Sequence, residues 1–374
     1  MVSQIVNLSN QKTFKHFKEK YNCQDLFSRG VYGIELRNVP AELYNFELTE
    51  NQKIFFKNRN IFFIGSFNEI IDSLNEAKLN REIKSAVADV INKYNNNDKI
   101  AYTFGNRTFN FNNSYVMGIL NVTPDSFSDA GIHFNQVDAV NYASKMLAAG
   151  ADIIDIGGES TRPGSESVAA NEEVDRVVPV ISAIKERYPE AIISIDTTKA
   201  SVAKASLLKG AAIINDISGG TFDKEMLNVV KQYDAAIIIM HIKGKPKTMQ
   251  ENPEYEDVVS EVYDFLFHQS EAAKKEGISK ILIDPGIGFG KSTEHNLTLI
   301  ERLEDFKSLG YPILIGVSRK SFIGKILNLP VEERDSSTNA LNALAISHGA
   351  RVIRTHNVRY AVETCTIFNS IVSN

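Results

Sequence analysis

From residue 115 to its end the chain repeats one pattern eight times: a short apolar run closes on or near a polar residue, and a longer amphipathic segment follows. The runs are Tyr115–Leu120, Asp152–Ile156, Ala191–Asp196, Ala212–Asp216, Ala236–His241, Lys280–Asp284, Pro312–Val317 and Arg351–Thr355. Strands alternating with helix-length segments are the pattern of βα units around a parallel sheet. Several runs are apolar throughout, as strands covered on both faces must be. Eight of them over about 260 residues fit a closed (β/α)8 barrel better than a doubly wound sheet.

The chain has 374 residues, more than one such barrel needs, so an appendage is expected. We predict an α/β protein, a (β/α)8 TIM barrel over 111–374 with an N-terminal α+β extension over 1–110. Within the extension, Ile54–Gly65 reads as two strands around a polar turn, Asn80–Tyr94 as a helix, and Asn95–Asn113 as the junction. Tyr102–Phe104 and Arg107–Phe111, around Gly105-Asn106, predict a hairpin capping the barrel's N-terminal end. Residues 1–94 hold no charged or glycine-rich constellation that suggests chemistry.

Charge narrows the partners. A formal charge of −5 gives no general attraction to nucleic acid or to an anionic membrane, so an anionic substrate must be met by local cations. Cys23 and Cys365 lie far apart and read as reduced thiols of a cytoplasmic protein. The N-terminus lacks an apolar signal core, and no run reaches the roughly 18 apolar residues of a membrane span, so a soluble protein is expected.

In a closed parallel barrel the functional groups stand at the C-terminal strand ends and in the loops beyond them. Here those places hold Asn121, the loop Gly157-Gly158-Glu159-Ser160-Thr161-Arg162-Pro163-Gly164, Asp196, Asn215, Met240 with His241, Asp284, Lys320, and Arg354 with His356. A lone aspartate at a strand end ordinarily caps the next helix, and a lone asparagine ordinarily makes a turn. Two carboxylates and an amide on three strands suit instead a nitrogen-rich heterocycle with several N–H donors. Arg354 and His356 alternate on one strand, share a face, and suit an anion. Arg351, at the strand start, reads as structural.

Pro285-Gly286-Ile287-Gly288-Phe289-Gly290-Lys291-Ser292 resembles a nucleotide loop but has the wrong spacing. A phosphate-binding loop ending in Gly-Lys-Ser needs glycine where Pro285 stands, and the dinucleotide pattern spaces its glycines differently. The glycines read better as letting backbone and Phe289 close over a flat ligand. The seven histidines form no zinc motif. Mg²⁺ shared between a side-chain oxygen and substrate phosphates remains open.

These motifs together resemble the dihydropteroate synthase family: Gly-Ile-Leu-Asn-Val-Thr-Pro-Asp-Ser-Phe-Ser-Asp from Gly118, Asp-Ile-Gly-Gly-Glu-Ser-Thr-Arg-Pro-Gly from Asp155, Ile-Asp-Pro-Gly-Ile-Gly-Phe-Gly-Lys from Ile283, Gly-Val-Ser-Arg-Lys-Ser-Phe from Gly316, and Arg-Thr-His-Asn-Val from Arg354. The resemblance implies a usually dimeric TIM barrel that joins 6-hydroxymethyl-7,8-dihydropterin diphosphate to p-aminobenzoate and releases pyrophosphate with Mg²⁺. It implies that Asp196, Asn215, Asp284 and Lys320 hold the pterin ring, with Ile217, Met240, Phe289 and Gly316 lining its slot. Asn121, Arg354 and His356 would bind the diphosphate, Asn121 also meeting Mg²⁺. Asp125, Phe127 and Asp129 would belong to a first mobile loop, Thr161, Arg162 and Pro163 to a second, and Ser321 would lie beside p-aminobenzoate. Catalysis would fall to Asp196, Asp284, Lys320, Arg354 and His356.

Two residues depart from the family's common last motif, Thr355 and Asn357 standing where valine and aspartate are usual. Residues 29–40 resemble an extension of some bacterial relatives. Folate-binding methyltransferase domains share the barrel and its carboxylates but need no diphosphate site. A binding partner without catalysis is the other alternative, and turnover separates the three.

Overall fold

The structure is a computed structural model, and it describes residues 1–22, 31–44, 53–123, 136–161 and 164–372. They form two compact units, one of residues 1–97 with 302–310, the other of 98–301 with 311–374.

In the second unit eight parallel strands close into a barrel. With the strands of the first unit counted as β1 (Val2–Asn7), β2 (Tyr32–Arg37), β3 (Ile54–Lys57) and β4 (Asn60–Gly65), the unit begins with the hairpin β5 (Ala101–Phe104) and β6 (Arg107–Asn110). The barrel strands are β7 (Tyr115–Asn121), β8 (Ile153–Gly157), β9 (Ile192–Asp196), β10 (Ile213–Asp216), β11 (Ala236–Met240), β12 (Ile281–Asp284), β13 (Ile313–Ile315) and β14 (Ala350–Thr355). Each lies within a residue or two of its predicted run, and β14 pairs with β7 to close the ring.

The hairpin floors this barrel. Phe104, Phe109 and Phe111 pack with Met117, Ile153, Ile192, Ile213, Ala236, Leu282, Leu314 and Val352 in one buried cluster. The boundary between units therefore falls at 97/98 rather than at 110, because the hairpin's aromatic rings fill the barrel's N-terminal mouth. Arg351 is structural as expected: its guanidinium donates to the carbonyls of Phe111, Ile346 and Ala350 and to Asp98.

Alternation then positions the site. Side chains two residues apart on a strand share a face, so Asp155 follows Ile153 inward, Asp196 lies two steps above Ile192, Asn215 follows Ile213, Asp284 follows Leu282, and Arg354 follows Val352. Apolar floor and polar mouth are two levels of the same inner surface.

The first unit is an antiparallel sheet in the order β1-β2-β4-β3. Helix α1 (Gln11–Tyr21) covers one face with Phe14, Phe17 and Tyr21 against Val6, Phe62 and Ile64. Helices α2 (Phe67–Glu76) and α3 (Arg81–Asn95) cover the other, packing Ile70, Leu74, Ile83, Val87 and Val90 on Ile5, Ile34, Ile61 and Phe63. Residues 302–310 complete this unit: Ser308 Oγ accepts the Ile5 N–H, Asp305 accepts that of Asn7, and Tyr94 donates to Glu304. Inside it, Glu35 accepts from the Tyr21 hydroxyl, from Lys20 at 2.7 Å and from Arg37 at 2.6 Å. Burial pushes the Glu35 carboxyl up, but its partners outweigh that and hold it below its ordinary value.

Candidate active site

Sheet register brings the first candidates to one level. Asn121 pairs with Gly157, Gly157 with Asp196, and Asp196 with Asn215, so four adjacent strands end their ladders in one row at the barrel mouth. Farther round, Met240 pairs with Asp284.

Below and across this row lies a charged cradle. Arg354 donates from Nε to Asp155 Oδ2 and from Nη2 to Asp196 Oδ2, both at 2.7 Å. Asp155 Oδ2 also accepts from Asn215 Nδ2 at 3.1 Å, while its Oδ1 is buried and without a partner. Asp284 accepts the Gly286 N–H at 2.7 Å. Burial raises the Asp196 carboxyl to about 7, with Arg354 pulling it down and Asp155 adding repulsion. Burial likewise raises Asp284 to about 6 against the Gly286 N–H and Lys320, and lowers Lys320 to about 8. Arg354, for which burial opposes charge, is nonetheless held above its ordinary value by Asp155 and Asp196. Buried carboxylates, one of them with an oxygen that no donor reaches, are matched to a ligand rich in N–H groups.

An apolar slot adjoins the cradle. Ile217, Met240, Ile242 and Met249 form a small cluster on which Phe289 packs, and the Lys320 ammonium stands 4.1 Å over the Phe289 ring. Of these, Ile242 and Met249 were not foreseen. The loop carrying Phe289 is pinned backbone to backbone. A Cβ on Gly286 would lie 1.9 Å from the His241 carbonyl oxygen, and one on Gly290 would lie 2.4 Å from that of Lys243. Gly286, Gly288 and Gly290 all hold positive φ, which only glycine adopts without strain.

Lys291 explains why the Gly-Lys-Ser sequence is not a phosphate loop. Its ammonium is buried, 2.9 Å from His241 Nδ1 and 3.0 Å from the Phe289 carbonyl, with its pKa lowered to about 7 by burial. His241 is driven down to about 2 by burial and by Lys291 and is neutral.

The sequence profile of the pterin binding enzymes matches residues 117–356. The curated dihydropteroate synthase of a Synechocystis strain is 46% identical over 273 residues, covering 72% of this chain and 92% of its own length. The chain belongs to the dihydropteroate synthase family of pterin binding enzymes. Among solved members of that family, a Yersinia pestis dihydropteroate synthase in a sulfonamide drug complex superposes with TM-score 0.69 at 41% identity. It covers 74% of this chain and all of the other. A Xanthomonas albilineans dihydropteroate synthase with 4-aminobenzoic acid gives TM-score 0.68 at 38% identity, covering 73% of this chain and 98% of the other.

The family's loops are in part outside the described residues: Asp125, Phe127, Asp129, Arg162 and Pro163 lie there. Thr161 is half-buried at the described end of the second loop, and Ser321 is exposed where the helix after Lys320 begins. The base of the second loop is tied down by side chains that sequence reasoning passed over. Lys199 bonds both Glu159 and Glu173, and Arg176 donates to the Gly158 carbonyl at 2.7 Å. Asp155 was also missed, although a carboxylate amid Ile153, Ile154 and Ile156 is the kind of buried charge that needs an explanation.

Proposed function

We propose that this chain condenses 6-hydroxymethyl-7,8-dihydropterin diphosphate with p-aminobenzoate to give 7,8-dihydropteroate and pyrophosphate, as a transferase of folate biosynthesis. The observation that carries the reading is the cradle itself: Asp196, Asn215 and Asp284, buried on three strands, beside a slot of Ile217, Met240 and Phe289, with Gly316 against Arg354. A pterin presents N–H groups along one edge and two flat faces, and so answers both.

In this reading Asp196, Asn215 and Asp284 accept and donate along the pterin edge, with Lys320 between ring and Phe289. Three of the five Arg354 N–H donors remain beyond those given to Asp155 and Asp196, and with His356 they are assigned to the diphosphate. Asn121 fits one place in a Mg²⁺ shell. Its Oδ1 stands beside Gly157 at the strand end, 3.6 Å from where a Cβ there would be, and Mg²⁺ commonly takes few protein oxygens and completes its shell with phosphate and water. When bound, Mg²⁺ neutralises charge on the departing phosphates.

The residues of this chain do the remainder. As the C–O bond to the diphosphate breaks, positive charge spreads into the pterin, where Asp196 and Asp284 stabilise it, while Arg354 and His356 stabilise the oxyanion that leaves. The aromatic amine of p-aminobenzoate is a nucleophile at neutral pH and needs orientation and exclusion of water more than a base. Thr161, Arg162, Pro163, Ser321 and the loop of Asp125, Phe127 and Asp129 are assigned to that task. We place the enzyme in the cytoplasm. A homodimer is proposed as well, supported by apolar side chains exposed near the C-terminal end of the chain, among them Ile326, Leu327, Leu344, Ile367 and Ile371.

Two experiments test the order of events. If ionisation precedes attack, enzyme with Mg²⁺ and pterin diphosphate alone scrambles ¹⁸O between bridging and non-bridging positions. Arg162→Ala then damages use of p-aminobenzoate far more than pterin binding, and unchanged p-aminobenzoate kinetics in that variant would remove Arg162 from the second-loop role.

A further inference from the structure

The last barrel strand ends in Thr355, followed by His356 and Asn357, and the contacts there decide which ring nitrogen of His356 carries its proton. Ser318, in the turn after β13, is central. Its Oγ accepts the backbone N–H of His356 at 3.1 Å and the Thr355 hydroxyl at 3.5 Å, and it lies 2.9 Å from His356 Nδ1. A hydroxyl has one proton to give and two lone pairs with which to accept. With those two donors facing its lone pairs, Ser318 is assigned the donation to Nδ1. Nδ1 is then the bare nitrogen.

We propose that Ser318 and Thr355 act as positioning residues that fix neutral His356 as the Nε2–H tautomer, so that the ring offers a donor, not a lone pair, to the anionic leaving group. The last clause rests on the proposed function; the tautomer does not. Both Ser318 and Thr355 are buried, which limits competition from water. The turn that carries Ser318 is braced from the other side of His356. Asn357 Nδ2 donates to Asp335 Oδ2 at 3.0 Å, and Asp335 grips Arg319 through Nε at 2.7 Å and Nη2 at 2.9 Å. Arg319 itself sits at φ +56, a conformation uncommon for its type, with its N–H on Thr338 Oγ1. Both departures from the family's common motif, Thr355 and Asn357, thus enter networks around His356. The hydroxyl at 355 is the deciding group. With a methyl in its place one lone pair of Ser318 is vacated, and an Nδ1–H can donate into it.

The test uses the full chain labelled with ¹⁵N in histidine, and long-range ¹H–¹⁵N spectra at a pH about two units above the ordinary imidazole value. His356 is assigned by its loss in His356→Asn. The wild-type ring should show the Nε2–H pattern, Thr355→Val and Ser318→Ala should shift it toward a mixture of tautomers, and Thr355→Ser should restore it. In turnover, Thr355→Val should lower kcat about fivefold, the factor supplied by one hydrogen bond of ordinary net strength, with pterin affinity held. An Nδ1–H pattern in the wild type, or an unaltered pattern in both Thr355→Val and Ser318→Ala, overturns the proposal. A wild-type chain that keeps Nε2–H yet forms no dihydropteroate supports the tautomer and refutes the reaction.

Discussion

Pterin binding should release protons near neutrality. Asp196 and Asp284 are raised to about 7 and about 6, chiefly because burial strips them of water. Only their ionised forms accept N–H groups with both oxygens, so the ligand must draw them into ionisation. Well below its pKa each group costs a factor of ten in affinity per pH unit. Between pH 8 and pH 5 that gives roughly two decades for Asp196 and roughly one for Asp284, about 4 kcal/mol together.

Stability of the ligand-free enzyme follows the same linkage. Each folded pKa lies above the ordinary 3.8, so at intermediate pH the folded chain holds protons that the unfolded chain has lost. The stabilisation is full below about 4 and is lost as pH rises through about 6 to 7. Calorimetry of pterin binding in buffers of different ionisation enthalpy, across this range, measures the proton count directly. Asp196→Asn should remove the component centred near 7 and leave the one near 6. A pterin affinity flat from pH 5 to pH 8, or one with the same slope in both asparagine variants, would refute the assignment of these carboxylates.

Three further perturbations follow from the packing. Gly286→Ala sets a Cβ 1.9 Å from the His241 carbonyl at φ +70, so the Phe289 loop must move and pterin titration should show affinity reduced at least tenfold. Asp155→Asn leaves Arg354 with Asp196 as its one carboxylate partner of the present pair; kcat/KM should fall by about 2 kcal/mol, the scale of a charged hydrogen bond, and unchanged kinetics would exclude Asp155 from the cradle. A chain beginning at Asp98 keeps the hairpin but strips residues 302–310 of their unit, exposing Leu303, Phe306 and Leu309; thermal unfolding should show a lower Tm with pterin binding retained, whereas a start at 111 should also lose the barrel floor.

The barrel was legible because its signals are local. Eight apolar runs of strand length, each followed by a helix, leave little freedom of architecture, and alternation along each strand then hands Asp196, Asn215, Asp284 and Arg354 to one face. Helix α3 and the turn between β3 and β4 were legible for the same reason. What escaped depended on contacts distant in sequence. Nothing in residues 302–310 announces that Ser308 and Asp305 bond Ile5 and Asn7, and β1, β2 and α1 were too short and mixed in pattern to be read alone. Arg354 was expected to meet an anion from its strand position, and the diphosphate from the family resemblance; that two carboxylates already hold it could be seen only once Asp155 was recognised as inward-facing. Lys291 shows the converse, where spacing alone ruled out a phosphate loop and the structure supplies the reason in its bond to His241.

The most direct measurement is formation of 7,8-dihydropteroate by the full chain supplied with pterin diphosphate, p-aminobenzoate and Mg²⁺, run beside Asp284→Asn. The account predicts product and stoichiometric pyrophosphate from the wild type, and a folded variant with pterin affinity weakened by one to several kcal/mol, about the worth of a charge-assisted hydrogen bond, and a correspondingly slower reaction at limiting pterin. A wild-type chain that binds pterin but yields no dihydropteroate, or an Asp284→Asn enzyme as fast as its parent at limiting pterin, would contradict it.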